Sequence, residues 1–369
     1  MTACGEHGGG LDDAPDALPV ERETDAVELA LPTTVGDLDA IASGHGTLVV
    51  ASVNLGKVTT TTTSDGGATW DQEVLRPDEL VLRVALGSSS RGVLMMLILC
   101  PARQLNYEDG CESGAAALSL LRLDGERWRE LSRTPAPDLA IAEFNLELVS
   151  GEPGTLAVYD SQRTYSDTAV VFGADGRVEA RAEIAGVASV ICPRETDFLL
   201  RTLADPGDGV SAIAGESGET VISSAGVGPS GWRLVALTGS GEVTTPGRAT
   251  SAPAFCSDGS MIGIGEDGSL TVEGGDGEAL GRLDPVTGPA LPAVGDSGNS
   301  GLVFAGIGEE ETRVKVVWAT AKSVKQYGWS SPGVFQPVVA AVDGDKLFLA
   351  YGSTEDPAGT STIHVRVIG

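Results

Sequence analysis

The sequence predicts an all-β fold: a ring of four-stranded blades, that is, a β-propeller. Three observations predict it. Glycine is the clearest compositional signal, at 50 of 369 residues. It suits tight turns and costs a helix about 1 kcal/mol relative to alanine. No segment sustains a helical period, and short apolar runs alternate with Gly/Asp turns instead. A recurring unit, a polar turn followed by an apolar strand ending in small residues, returns every 40–60 residues or so, roughly the size of one blade.

The units come in order. They are Gly46 to Ser52, Gly92 to Met96, Gly154 to Tyr159, Asp197 to Leu200, Gly259 to Ile264, Gly301 to Gly306 and Asp345 to Tyr351. Seven instances suggest seven blades. Two long gaps, one across residues 100–111 and one across 207–247, leave six or eight open. Partner strands are visible as well. Thr168 to Phe172 turns at Gly173-Ala174-Asp175-Gly176 into Arg177 to Ala180, and Ser269 to Val272 follows Glu266-Asp267-Gly268. Thr362 to Val367 alternates and is expected to pair with Ala26 to Leu31, so that N- and C-terminal strands close the ring and remove exposed edges. The longest apolar run, Val93 to Cys100, is too short for a membrane helix of about 20 residues and reads as a strand buried on both faces.

The expected organisation is a flexible acidic tether over residues 1–26 and a single propeller over 27–369. The tether reading rests on Gly8-Gly9-Gly10, on Pro15 and Pro19, and on Asp12, Asp13, Asp16, Glu21, Glu23 and Asp25. Over the whole chain 52 acidic residues face 24 basic ones, a net charge of −28. Such a surface repels nucleic-acid phosphates and anionic headgroups, and it also serves solubility alone.

There are five cysteines. Cys100 and Cys111 flank a polar excursion between two apolar strands, which suits a disulfide across the loop; two buried thiols are the alternative. Cys192 and Cys256 each close an inner strand in matching contexts. They fit either a bridge between neighbouring inner strands or simple repeat equivalence. Cys4 is left over. Met1-Thr2-Ala3-Cys4-Gly5 resembles the tail of a bacterial lipoprotein signal, in which the cysteine carries lipid. It departs from that pattern in lacking the basic and apolar parts and in having Met1 where leucine is usual. A plain cytosolic N-terminus with a free thiol is the other reading.

The segment Thr63-Ser64-Asp65-Gly66-Gly67-Ala68-Thr69-Trp70 matches Ser/Thr-x-Asp-x-Gly-x-Thr-Trp at Thr63, Asp65, Gly67, Thr69 and Trp70. It resembles the Asp-box of the sialidase/neuraminidase-like superfamily, the BNR-repeat propellers. Locally, the Asp65 carboxylate is suited to accept backbone N–H groups in a hairpin. Gly66 or Gly67 is suited to positive φ, and Trp70 to packing between sheets. The resemblance implies a structural role for these five residues on a blade's outer hairpin, away from any substrate cleft. Ser257-Asp258-Gly259-Ser260 and Glu266-Asp267-Gly268-Ser269 read as degraded echoes.

A sialidase of that family grips its substrate carboxylate with three arginines, the first usually in Arg-Ile-Pro, and uses a Tyr–Glu nucleophile pair and an acid/base aspartate. This chain has no Arg-Ile-Pro, and no arginine between Arg22 and Arg76. Arg163-Thr164-Tyr165-Ser166 is the most suggestive cluster, although a polar loop explains it equally. His7, His45 and His364 are isolated and lack metal-ligand spacing. P-loop, Rossmann and nucleophile-elbow signatures are missing. Asp205 to Gly209 and Asp343-Gly344-Asp345 offer oxygen ligands for Ca²⁺ but read first as exposed turns, so no cofactor is expected. The expectation is therefore a non-catalytic extracytoplasmic platform that binds a protein or glycan at the cell envelope, touching membrane only through a lipid on Cys4. The alternative is a divergent sialidase-like glycoside hydrolase or other glycan-active enzyme.

Overall fold

The computed structural model describes residues 18–31, 38–54, 56–106, 110–112, 114–136, 139, 146–161, 166–185, 188–203, 232–248, 254–265, 267–272, 279–284, 290–295, 298–307, 311–332, 335–353 and 362–369. The chain is a seven-bladed β-propeller of four-stranded antiparallel sheets. Helix among the described residues is confined to one 3-10 turn, Ala102–Gln104.

Two short strands precede the first blade, β1 (Val20–Arg22) and β2 (Ala26–Ala30). Blade 1 is β3 (Ala40–Gly44), β4 (Thr47–Asn54), β5 (Lys57–Thr63) and β6 (Asp71–Leu75). Blade 2 is β7 (Leu80–Ser89) and β8 (Gly92–Cys100), then a small hairpin of β9 (Leu105–Asn106) and β10 (Gly110–Cys111), then β11 (Ala117–Asp124) and β12 (Arg127–Pro135). Blade 3 is β13 (Leu146–Gly151), β14 (Gly154–Ser161), β15 (Ser166–Phe172) and β16 (Val178–Ala185). Blade 4 is β17 (Ala188–Pro193), β18 (Asp197–Leu203), β19 (Trp232–Thr238) and β20 (Val243–Arg248). Blade 5 is β21 (Ala254–Ser257), β22 (Ser260–Ile264), β23 (Ser269–Val272) and β24 (Ala279–Arg282). Blade 6 is β25 (Ala290–Val294), β26 (Ser300–Ile307), β27 (Glu311–Ala319) and β28 (Val324–Pro332). Blade 7 is β29 (Phe335–Asp343), β30 (Lys346–Ser353), β31 (Thr362–Ile368) and, on its outside, β2.

The seven apolar units of the sequence are the second strands of the seven blades: β4, β8, β14, β18, β22, β26 and β30. These strands carry the clearest apolar signal because they are covered on both faces. β8 shows it best. Val93, Met95, Leu97 and Leu99 pack with Ala40, Val49 and Val58 of blade 1, while Leu94, Met96 and Ile98 pack with Leu148, Tyr159 and Phe172 of blade 3. The core is thus a set of clusters between neighbouring blades.

The ring closes as expected. β2 pairs antiparallel with β31, from Ala26↔Ile368 to Ala30↔His364. The expected tether needs a correction at its end, because β1 lies inside the 1–26 stretch. β1 adds a fifth, parallel strand to blade 6, in the register Val20↔Val324 to Arg22↔Gln326. Leu18 and Val20 pack on the cluster between blades 5 and 6, and that burial outweighs the effect of Pro19. Residues 1–17 lie outside the described residues. Blades 6 and 7 are therefore joined by the segment that runs from β1 to β2.

Candidate functional site

In a four-stranded meander, the start of the inner strand and the second-to-third hairpin share one end of the molecule. The first-to-second and third-to-fourth hairpins share the other. At the axis the inner strands of blades 1, 2, 3, 6 and 7 enclose a cavity of about 290 Å³. Most of its lining is apolar and includes Ile41, Leu86, Leu148, Val149, Leu291 and Val339. This apolar character follows from the position of the inner strands, whose side chains converge where no water layer separates the blades.

Charge gathers where the inner strands begin. Asp39 and Glu147 both line the cavity. Val53 N–H donates to Asp39 Oδ2 at 2.6 Å. Glu147 of blade 3 reaches across to blade 4, where Ser189 Oγ donates to its Oε1 at 3.0 Å and Val190 N–H to its Oε2 at 2.7 Å. Asp167 makes the same crossing, accepting from Ala188 N–H at 2.6 Å. Arg201 sits beside them on β18, only 4% exposed. Burial lowers its pKa, and the Glu147 carboxylate works against that shift. These carboxylates hold backbone donors of blade 4 that would otherwise be unsatisfied, and removing one would leave a buried group unpaired.

The five residues of the Thr63–Trp70 segment come together at the opposite end, on the hairpin from β5 to β6. Thr69 N–H donates to Asp65 Oδ1 at 2.9 Å and Thr69 Oγ1 to Asp65 Oδ2 at 2.6 Å, while Thr63 Oγ1 donates to Asp65 Oδ1 at 2.9 Å. These bonds, that from the Thr69 side chain foremost, lower the Asp65 pKa from 3.8 to about 2. Gly66 and Gly67 both have positive φ, 72° and 92°. A Cβ on Gly67 would stand 2.9 Å from Leu29 of β2. Trp70 packs with Leu29 and Leu31 against the cluster shared by blades 7 and 1. The hairpin thus grips the strand that closes the ring.

Two further hairpins repeat that contact. Gly176, between β15 and β16, stands 2.8 Å by the same measure from Leu131 of blade 2; Gly241, between β19 and β20, stands 2.6 Å from Ala180 of blade 3. These are the structural equivalents of Gly67, and both sit at the turn after a third strand. The echoes expected at Asp258-Gly259 and Asp267-Gly268 occupy other turns, those from β21 to β22 and from β22 to β23, so they are not equivalents. The Asp-Gly pair alone misled, because every tight hairpin favours it.

Cys100 and Cys111 form one disulfide, with Cα atoms 5.8 Å apart, across the excursion carrying the β9–β10 hairpin. Cys192 and Cys256 form the other, Cα atoms 6.1 Å apart, joining the inner strands of blades 4 and 5. Cys4 lies outside the described residues, as do Arg163 to Tyr165 and Asp205 to Gly209. Asp343 accepts from Ser43 Oγ at 2.9 Å. Among the described residues no group of three acidic, histidine or cysteine side chains is suited to hold a metal. Tyr327 and Tyr351 pack beside Trp329 between blades 6 and 7. No arginine or tyrosine occurs among the described residues lining the axial cavity.

No family model and no curated protein matches the chain. Solved structures of similar form include three of interest. Trypanosoma rangeli sialidase is 8% identical over 94% of this chain, with a TM-score of 0.47. The chain spans 58% of that sialidase. YCF48 from Cyanidioschyzon merolae is 14% identical over 94% of this chain and 99% of its own, with a TM-score of 0.47. The polysaccharide lyase Uly1 is 8% identical over 91% of each chain, with a TM-score of 0.46. The likeness to all three is one of fold.

Proposed function

We propose that this propeller is a non-catalytic binding or assembly platform that works outside the cytoplasm, at the cell envelope, and that its partner is a protein or glycan seated over the axial cavity. The observation that carries the reading is the state of the carboxylates at the junction of blades 3 and 4. Glu147 and Asp167 are engaged with the backbone of blade 4, and Arg201 is buried beside Glu147. They hold blades in place, whereas a catalytic pair needs carboxyl groups open to a glycosidic bond. The two disulfides suit an oxidising compartment. Thr63–Trp70, as an Asp-box, is a structural clamp in this reading. Cys4 is the proposed lipid attachment point and residues 1–17 the spacer; labelling of the full-length gene product with a lipid precursor, and its loss in Cys4→Ala, tests that part.

The test of the platform is a cell-surface proximity-labelling experiment comparing the native protein with Leu146→Arg, which places charge at the cavity. A defined neighbour whose labelling drops in the variant supports the platform. Labelling that is identical in both argues against the axial face. A divergent glycan-active enzyme is the second reading because the Arg201 guanidinium, on the second strand of blade 4, feels the charge of Glu147, which lines the axial cavity. Clear turnover of any fluorogenic glycoside by the purified protein would establish that reading and overturn the first.

A further inference from the structure

Strand edges behave differently on two of the blades. β28 and β12 are each nine residues long, the longest outermost strands among the described residues. The edge of β28 is covered by β1, whose neighbour Glu23 pairs with Lys325 of that edge at 2.6 Å. The chain thus already shows a short strand, followed by a carboxylate, added to a blade edge that presents a cation. The edge of β12 has no such cover among the described residues. It carries Arg127, Arg129 and Arg133, in a molecule whose net charge is −28.

The arginines are arranged unusually. Arg122 of β11 and Arg129 of β12 stand directly opposite each other in the antiparallel register, on one face of the sheet. Like charges in that position destabilise a sheet. Arg133 has a partner, Glu79, and Arg181 from blade 3 donates to Pro135 O at the strand's far end. Asp124 lies across from Arg127, Glu126 sits at the hairpin tip, and Glu130 is held by Ser119 Oγ at 2.8 Å. Among the described residues no ion pair is formed by the opposed pair Arg122 and Arg129, which concentrates positive charge beside a strand edge that blade 3 touches at Leu131 and Pro135. Isolated edge cations serve to discourage aggregation, but a second cation facing the first adds repulsion without adding to that protection.

We propose that the free edge of β12 is a docking site for an extended acidic segment of a partner protein, which adds to blade 2 as a fifth strand and is read by Arg122, Arg127 and Arg129. Main-chain pairing supplies affinity in this mode and the alternate side chains supply selectivity. The surface is separate from the axial cavity and stands or falls independently of it.

The experiment measures fluorescence anisotropy of a short labelled peptide alternating valine and glutamate, titrated with the whole protein. The expected result is saturable binding that weakens with salt and falls by about tenfold or more in Arg129→Glu. The same variant places a carboxylate opposite Arg122, so its Tm should rise; a loss of binding in a protein that has become more stable is not a folding defect. A peptide N-methylated along its pairing edge should bind less well, which distinguishes strand addition from charge attraction. Equal binding of the lysine counterpart, unchanged binding in Arg129→Glu, or indifference to N-methylation would each overturn the proposal. So would binding of heparin in place of the peptide.

Discussion

The Asp65 carboxylate is held by Thr63 and Thr69 in an exposed turn, and its pKa of about 2 lies below the ordinary 3.8. A depressed carboxylate contributes stability that is full above its unfolded pKa and is lost as pH falls through the folded value. Asp65→Asn should therefore reduce the loss of Tm between pH 4 and pH 2, roughly, while lowering Tm at neutral pH; a thermal melt series across that window measures both. Gly67→Ala combines strained φ with a Cβ pressed against Leu29, and should cost about 1–3 kcal/mol. Leu29→Ala should relieve only the contact part, and a double-mutant cycle read by denaturant titration separates the two. Thr63, Asp65, Gly67 and Thr69 bond to one another within the hairpin, so their pattern is visible in the sequence, whereas Trp70 packs against the cluster shared by blades 7 and 1. Glu147, Asp167 and Arg201 were not legible there, since their partners lie in the next blade and 52 acidic residues offer no local mark. The one signal available was Arg201 itself, an arginine that directly follows the buried run Phe198-Leu199-Leu200.

At the scale of elements, the two disulfides do unequal work. The cluster between blades 4 and 5 is small among the described residues, comprising Ile191, Leu199, Ala254 and Met261 around the Cys192–Cys256 bridge. That bridge spans 64 residues of sequence and the Cys100–Cys111 bridge only 11. By loop-closure entropy the two should contribute about 4 and about 3 kcal/mol respectively. Paired serine substitutions, compared by urea unfolding, should preserve that order. Substitution of the longer bridge should also raise hydrogen exchange in β17 and β21 selectively. Second strands were readable in the sequence because both of their faces are buried. An outer strand such as β6 is mixed in polarity, since it is covered only in part, and three-residue β1 is too short for any period to appear.

For the whole molecule, net charge and closure set the behaviour. At −28 the folded ring repels itself, so added NaCl should raise Tm at neutral pH until screening saturates, a trend that a salt series of thermal melts will show or refute. Blade count and closure were both foreseeable, because repeat spacing and the alternating last strand are properties of the chain as a whole. The extra strand on blade 6 was hidden, as its parallel pairing joins residues 20–22 to residues 324–326. That pairing and the seam of β2 with β31 also bear on biosynthesis. β2, the outer strand of the last blade, is made before the strands of blade 1, and its partner β31 is made after all the other strands of the ring. Until β31 is made, Ala26–Ala30 has no sheet to join, and Val27, still 62% exposed after closure, waits beside the edge-strand backbone. The nascent protein must keep that segment from pairing wrongly while all the intervening strands are made, and a chaperone that shields it would act before blade 1 is complete.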